Sequence, residues 1–188
     1  MIEIRWHGRG GQGTKTASLL LADAVFATGK YVQGFPEYGP ERTGAPLTAY
    51  NRVADERILI HSNVYNPNFV VVVDESLMGC ITVDEGIQEG GAILVNTEKS
   101  VEEIREKLVN KDIKIYTVAA DKIALEEIGR AFPNTAMLSA IIKISNLIEE
   151  EDFVRVMRES LERQFATKPD VIETNVNAIK RAWKEIGE

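Results

Sequence analysis

Residues Trp6-His7-Gly8-Arg9-Gly10-Gly11-Gln12-Gly13-Thr14-Lys15-Thr16 carry the strongest chemical signal in the chain. Four glycines within six positions follow the alternating Ile2, Ile4 and Trp6 and precede an apolar helical stripe. Such a strand–turn–helix junction can bring several backbone N–H groups close to an anion, where β-carbons would obstruct. Gly8, Gly10 and Gly13 satisfy G-x-G-x-x-G, the pyrophosphate-binding turn of dinucleotide folds. The acid that should hold the ribose about 20 residues further on has one candidate, Glu37, which sits in a loop between Pro36 and Tyr38. Gly8 and Gly13 are also spaced for the phosphate loop G-x-x-x-x-G-K-[ST], but Thr14 stands where the lysine belongs. Lys15 comes one residue late, and one helical step turns a side chain by roughly 100°, away from the cradled phosphates. Phe69-Val70-Val71-Val72-Val73-Asp74-Glu75 imitates the strand that presents a magnesium-binding acid in ATPases. It reads better as a buried parallel strand with an acid at its carboxyl end.

A second region, Gly34 to Pro46, contains three glycines and three prolines, which predicts an ordered, turn-rich loop rather than a flexible linker. In a doubly wound sheet it emerges at the same carboxyl edge as the glycine loop. Arg9, Glu41 and Arg42 would then supply two cations and an acid there, with Tyr38 as an aromatic contact. This constellation suits a ligand or subunit surface.

Composition narrows the class. The chain has 188 residues, 44% hydrophobic and 27% charged, with a net charge of −7. That length suits a single domain over 1–188 with a sizeable core. The acidity and the lack of a basic stripe exclude a nucleic-acid partner. No signal peptide or membrane-length apolar run is legible, so a cytoplasmic location is expected. Abundant charge and isoleucine hint at a thermophilic source. The single cysteine, Cys80, cannot make an internal disulfide or hold an iron–sulfur cluster, which generally needs four thiolates; it reads as a small buried thiol. His7 and His61 are too isolated for a zinc site and read as structural.

Strands and helices alternate along the chain. Ala17, Leu20, Leu21, Ala24 and Val25 mark the first helix, closed by Gly29. Tyr31–Phe35 reads as a strand. Leu47–Val53 and Arg57–Ile60 read as a hairpin about Ala54-Asp55-Glu56, which would make the sheet mixed. Val70–Val73 and Ala92–Val95 are buried strands. A capping box at Ser100-Val101-Glu102-Glu103 opens a helix ending near Val109, followed by a strand over Ile113–Val118 and a helix over Ala119–Ile128. The final third is helical: Ala136–Ile148 is apolar all round, and Ile172, Val176, Ile179, Trp183 and Ile186 form one helix face. The expected fold is a Rossmann-like, three-layer α/β/α sandwich with a mostly parallel sheet and a helical C-terminal third.

Trp6-His7-Gly8-Arg9-Gly10-Gly11-Gln12-Gly13, with Phe35-Pro36-Glu37-Tyr38-Gly39-Pro40-Glu41-Arg42-Thr43-Gly44, closely resembles the gamma subunit of the 2-oxoacid:ferredoxin oxidoreductases, the pyruvate synthase group. Val71-Val72-Val73-Asp74-Glu75, Leu94-Val95-Asn96-Thr97 and Pro133-Asn134-Thr135-Ala136-Met137-Leu138 extend the resemblance in order and spacing over the length of that subunit. The resemblance implies a subunit, inactive alone, of a complex that decarboxylates a 2-oxoacid, passes two electrons through iron–sulfur clusters to ferredoxin and transfers the acyl group to coenzyme A. Pyruvate is the first expected substrate and branched-chain 2-oxoacids the second. Thiamine diphosphate, magnesium and the clusters would belong to alpha, beta and delta subunits, with no cofactor firmly bound and no catalytic residue here. Gly8, Arg9, Gly10, Gly11, Gln12 and Gly13 would form a cofactor-facing loop, and Glu37, Tyr38, Gly39, Pro40, Glu41, Arg42, Thr43 and Gly44 a subunit interface. Rival readings are a stand-alone nicotinamide dehydrogenase, which should bind NAD by itself, a P-loop-like ATPase and a free-standing binding module.

Overall fold

The computed structural model describes residues 1–37 and 44–187; Tyr38, Gly39, Pro40, Glu41, Arg42 and Thr43 of the expected interface lie outside the described residues. Among the described residues six strands form one sheet: β1 (Ile2–Arg9), β2 (Tyr31–Pro36), β3 (Pro46–Ala54), β4 (Phe69–Val72), β5 (Ala92–Asn96) and β6 (Lys114–Val118). Their order is β2-β3-β1-β4-β5-β6. β1, β4, β5 and β6 are mutually parallel. β3 is antiparallel to both β1 and β2, which makes the sheet mixed.

The expected hairpin between Leu47–Val53 and Arg57–Ile60 is not formed. β3 pairs with β2 on one side and β1 on the other, and Arg57–Ile60 belongs to no strand. The local pattern of Arg57–Ile60 is strand-like, but both edges of β3 are already taken by longer partners. This insertion separates β2 from β1, which are neighbours in the dinucleotide-binding strand order 3-2-1-4-5-6.

Alternation along β1 divides its side chains between two faces. Ile4 and Trp6 enter a large core with Leu21, Val71, Leu94, Ile141, Phe153 and Ile179. Five helices supply the cover on this side: α1 (Thr14–Phe26), α3 (Ala120–Ile128), α4 (Asn134–Ser145), α5 (Glu150–Gln164) and α6 (Pro169–Lys184). The other face is thinner. Val70, Val72, Ile93, Val95 and Ile115 pack there against Leu77 and Met78 of a 3-10 turn (Glu75–Gly79), and against Ile104 of α2 (Val101–Lys107).

Helix α4 explains its own composition. Every residue from Thr135 to Ile142 is buried, because α1, α3 and α6 flank it above the sheet. The capping box on α2 is present, Ser100 accepting from the Glu103 N–H and Glu103 accepting from the Ser100 N–H. The apolar face of α6 packs on α3, α4 and α5, and Trp183 stacks with Phe153 at 6.3 Å. Cys80 is exposed, contrary to expectation. In the tight 3-10 turn Leu77 and Met78 take the inward positions, so the chain faces outward by Gly79 and Cys80.

Asn51 joins the sheet to α1. It is fully buried on β3, accepts from the Trp6 indole at 2.8 Å and donates to the Ser18 carbonyl at 2.8 Å. Gly34 is its register partner on β2, where a β-carbon would lie 3.0 Å from the Ala22 side chain, 3.1 Å from Asn51 Nδ2 and 3.2 Å from the Ser18 carbonyl oxygen. Asn51→Ala orphans a buried indole N–H and weakens the strand–helix contact. It should lower the unfolding free energy by about 2–4 kcal/mol, read as a reduced urea midpoint with unchanged slope.

Candidate functional site

In an open α/β sheet ligands favour the carboxyl edge where the chain reverses its direction of growth. Here that point lies between β1 and β4. After β1 the chain adds β2 and β3 on one side, and after β4 it adds β5 and β6 on the other. Arg9 ends β1, and Asp74 stands just beyond β4. The space between them is bridged. Arg9 Nε donates to Asp74 Oδ2 at 3.1 Å, Nη2 donates to Ser76 Oγ at 2.9 Å, and Nη1 donates to the Gly44 carbonyl at 3.0 Å. Gln12 Nε2 donates to the same Asp74 oxygen at 2.6 Å, while its Oε1 accepts from the Arg9 N–H at 2.8 Å.

One guanidinium therefore ties the glycine loop, the start of β3 and the turn after β4. The backbone reinforces it: the Gly10 N–H donates to the Ala45 carbonyl at 2.9 Å, and the Gly44 N–H returns to Gly10 at 3.0 Å. The two glycine-bearing segments are neighbours at one edge. Their closeness comes from the β2–β3 antiparallel pair, which leaves and re-enters the sheet at that edge. At the other end of the segment, Glu37 is exposed and accepts from the Tyr50 hydroxyl at 2.6 Å.

Glycine is required at three places in this loop, Gly11 among them by its φ of 97°. A β-carbon on Gly8 would fall 2.0 Å from Thr14 Oγ1 and 3.3 Å from the Val73 side chain. Gly13 caps α1 in the left-handed region, φ 79°, with Asn134 of α4 packed 3.1 Å from its absent β-carbon. Thr14, in the position of a phosphate-loop lysine, is buried against Gly8 with its hydroxyl unpaired among the described residues, whereas Lys15 is exposed. Gly10, Gln12 and Gly13 are half-buried and Gly11 is exposed.

Two acids at this edge are shifted in opposite directions. Burial would raise the Asp74 carboxyl, but hydrogen bonds from Ser76 and Gln12 and the charge of Arg9 outweigh it and hold its pKa below the usual value. Behind it, Asp121 at the start of α3 accepts from Asn96 at 2.7 Å. Its pKa is raised, first by burial and also by the charge of Asp74, with the Asn96 hydrogen bond opposing. Asn96 also donates to the Val73 carbonyl at 3.0 Å, joining the ends of β4 and β5. Glu75 points elsewhere, to Lys99 and Lys107. A magnesium–phosphate site does not follow from the Asp74-Glu75 pair, since the first acid is neutralised by arginine and the second by two lysines. Among the described residues no three His, Cys, Asp or Glu side chains gather as a metal site.

Sequence reasoning did not single out Ser76, Asn51 or the Arg5–His7 pair, and it met Asn96 and Asn134 only within the resembling segments. Arg5 and His7 are buried on the thin face, where Arg5 Nε donates to His7 Nε2 at 3.1 Å and Arg5 Nη2 reaches the Val83 carbonyl at 3.1 Å. His7 Nδ1 has no hydrogen-bond partner among the described residues. Strand alternation could have placed both on the face opposite Trp6, but not their mutual contact.

The glycine-loop lock and the His7 environment make separate predictions. Asp74→Ala leaves Arg9 and Gln12 without their shared acceptor. It should cost about 1–2 kcal/mol and speed amide exchange at Gly10 and Gly44 before the rest of the sheet opens. Burial, then the Arg5 charge, pull the His7 pKa down to about 4. The unfolded chain therefore binds the proton first, and stability falls as pH drops from about 6.5 towards 4, by roughly 3 kcal/mol in total. His7→Gln should flatten that part of the urea-midpoint profile.

The pyruvate ferredoxin/flavodoxin oxidoreductase family model matches residues 3–185. The chain is 47% identical over 187 residues to pyruvate synthase subunit PorC of Thermotoga maritima, covering 98% of this chain and 94% of that protein. It is 43% identical to the pyruvate/ketoisovalerate oxidoreductases common subunit gamma of Thermococcus litoralis, covering 98% and 97%. The crystal structure of the Thermotoga maritima pyruvate oxidoreductase subunit superimposes with a TM-score of 0.87 at 44% identity, covering 99% of this chain and 97% of that one. The gamma subunit of a keto/oxoacid ferredoxin oxidoreductase from Geobacter sulfurreducens, 20% identical, shares the fold at a TM-score of 0.73, covering 98% and 97%. With the family model matched almost end to end, the chain belongs to the pyruvate ferredoxin/flavodoxin oxidoreductase family, as a gamma-type subunit of a 2-oxoacid oxidoreductase.

Proposed function

We propose that this chain, acting as one gamma-type domain over residues 1–188, contributes a docking and cofactor-facing edge to an oxidoreductase. Its alpha, beta and delta partners would hold thiamine diphosphate, magnesium and the iron–sulfur clusters. The complex decarboxylates a 2-oxoacid, with pyruvate favoured, reduces ferredoxin and forms an acyl-coenzyme A. The observation that carries this reading is the Arg9–Asp74–Gln12 bridge at the topological switch point. A stand-alone nucleotide protein keeps that place open for its ligand, whereas here side chains of the chain itself occupy it. The candidate ribose-binding acid, Glu37, is two strands from β1, about 10 Å at ordinary strand spacing.

In this reading Gly8, Arg9, Gly10, Gly11, Gln12 and Gly13 form a rigid rim that faces a site completed by other subunits. Glu37, Tyr38, Gly39, Pro40, Glu41, Arg42, Thr43 and Gly44 form the adjoining interface. The chain's own contribution is shape and positioning, and the demanding chemistry belongs to cofactors held elsewhere. The loop's exposed backbone and the Arg42 charge suit the polar parts of coenzyme A across the interface. Among the described residues no helix is long and apolar enough to cross a membrane, and a cytoplasmic complex is the corresponding proposal.

Anaerobic reconstitution of alpha, beta and delta subunits with and without this chain tests the role. Omission should abolish pyruvate- and coenzyme A-dependent ferredoxin reduction, and addition should restore it. Gly11→Val and Arg42→Ala should impair assembly or lower coenzyme A-dependent turnover at least about tenfold, a loss of about 1.4 kcal/mol. Unchanged assembly and turnover in both variants would refute the assignment of the two loops.

A further inference from the structure

Between β3 and β4 the chain crosses from Asp55 to Asn68 without regular structure, and five of these residues have the composition of a strand. Arg57-Ile58-Leu59-Ile60-His61 runs with neither turn nor bend. None of the five makes a backbone–backbone hydrogen bond to another described residue. Leu59 is 72% exposed and Ile60 45%, followed by Tyr65 at 68%. Exposed apolar side chains of this size cluster on soluble surfaces mainly where something covers them.

The segment is held from both ends. Asp55 pairs with Lys30 at 3.8 Å, and the Asn63 carbonyl accepts from Arg52, itself buried and paired with Glu3 at 2.7 Å. Val64 then enters the core. Anchored ends reduce the ordering entropy that a partner must overcome.

We propose that Arg57–His61 is a docking strand that pairs, main chain to main chain, with an extended segment of a partner subunit. The proposal rests on the subunit reading above. Free N–H and C=O groups along a straight run are matched best by another extended chain, which supplies complementary groups at the same repeat. Ile58, Leu59 and Ile60 select an apolar centre, while the flanking Arg57 selects an acidic residue at one end of the partner segment and His61 a polar, hydrogen-bonding residue at the other. A second copy of this chain fits less well. Antiparallel self-pairing about Leu59 would set Arg57 opposite His61, between two bodies that each carry a net charge of −7.

Hydrogen–deuterium exchange of residues 57–61 in the reconstituted complex and in the isolated chain tests this directly. The amides should exchange at least about tenfold more slowly in the complex. Leu59→Pro, which removes one N–H, and Leu59→Asp, which removes the apolar anchor, should each weaken association at least about thirtyfold. The thermal midpoint of the isolated variants should stay unchanged, because Leu59 is exposed and its backbone makes no hydrogen bond to another described residue. An active complex in which these amides exchange as fast as in the free chain overturns the docking strand and leaves the subunit role intact. Concentration-dependent protection in the isolated chain also overturns it, by making a second copy the occupant. The exchange readout needs no turnover, so failure of the glycine-loop assignment would leave this inference standing.

Discussion

The Arg9 guanidinium is the interaction on which the carboxyl edge depends. Its three nitrogens reach Asp74, Ser76 and Gly44, so three segments far apart in sequence meet on one planar group. Opposite charges at this spacing attract by about 5 kcal/mol at an effective dielectric of 20, and desolvation offsets most of it. The net contribution to stability is modest; the contribution to geometry is larger. Without the guanidinium, a loop with left-handed residues at Gly11 and Gly13 would be held mainly by the Gly10–Ala45 and Gly44–Gly10 backbone hydrogen bonds. Because the same aspartate oxygen also takes the Gln12 amide, the loop is held at Arg9 and at Gln12 simultaneously.

The sheet separates structural and surface roles by face. Five helices bury one face around Trp6 and α4, and the energetic weight of the fold lies there. The other face carries α2, a 3-10 turn and coil, together with buried polar groups that a helical layer would not accommodate: Arg5, His7 and Arg52. These groups find partners mainly among loop carbonyls and neighbouring side chains. A polar, loop-covered face is easier to remodel than one packed with methyl groups, and the chain keeps its long connections on that side.

Periodic elements were legible because each announces itself within a few residues. The alternation in β1, the stripe on α1, the capping box at Ser100 and the face of α6 all needed only local spacing. Arg57–Ile60 was misread for the same reason. Its pattern is strand-like, but pairing is decided by which partners remain, and β3 was already paired on both sides. Cys80 failed because a 3-10 turn has a different period from the helix or strand that the flanking apolar residues suggest. At the site, the glycine loop and its adjacent segment could be found from composition. The Arg9–Asp74 bond, between residues 65 positions apart, could not. An acid after an apolar strand has the same local pattern whether it meets a metal or an arginine.

The last strand of the sheet has an edge that is covered at one residue. Gly187 forms an antiparallel bridge to Thr117, with two backbone hydrogen bonds at 2.9 and 3.0 Å, and so caps the outer side of β6 near its carboxyl end. β2 lies at the opposite margin, five strand spacings away, about 24 Å. A fluorophore, affinity tag or fused domain appended after residue 187 would therefore depart from the margin remote from β2. Such a handle would leave three strand spacings from β1 and its glycine loop, about 14 Å away across the sheet.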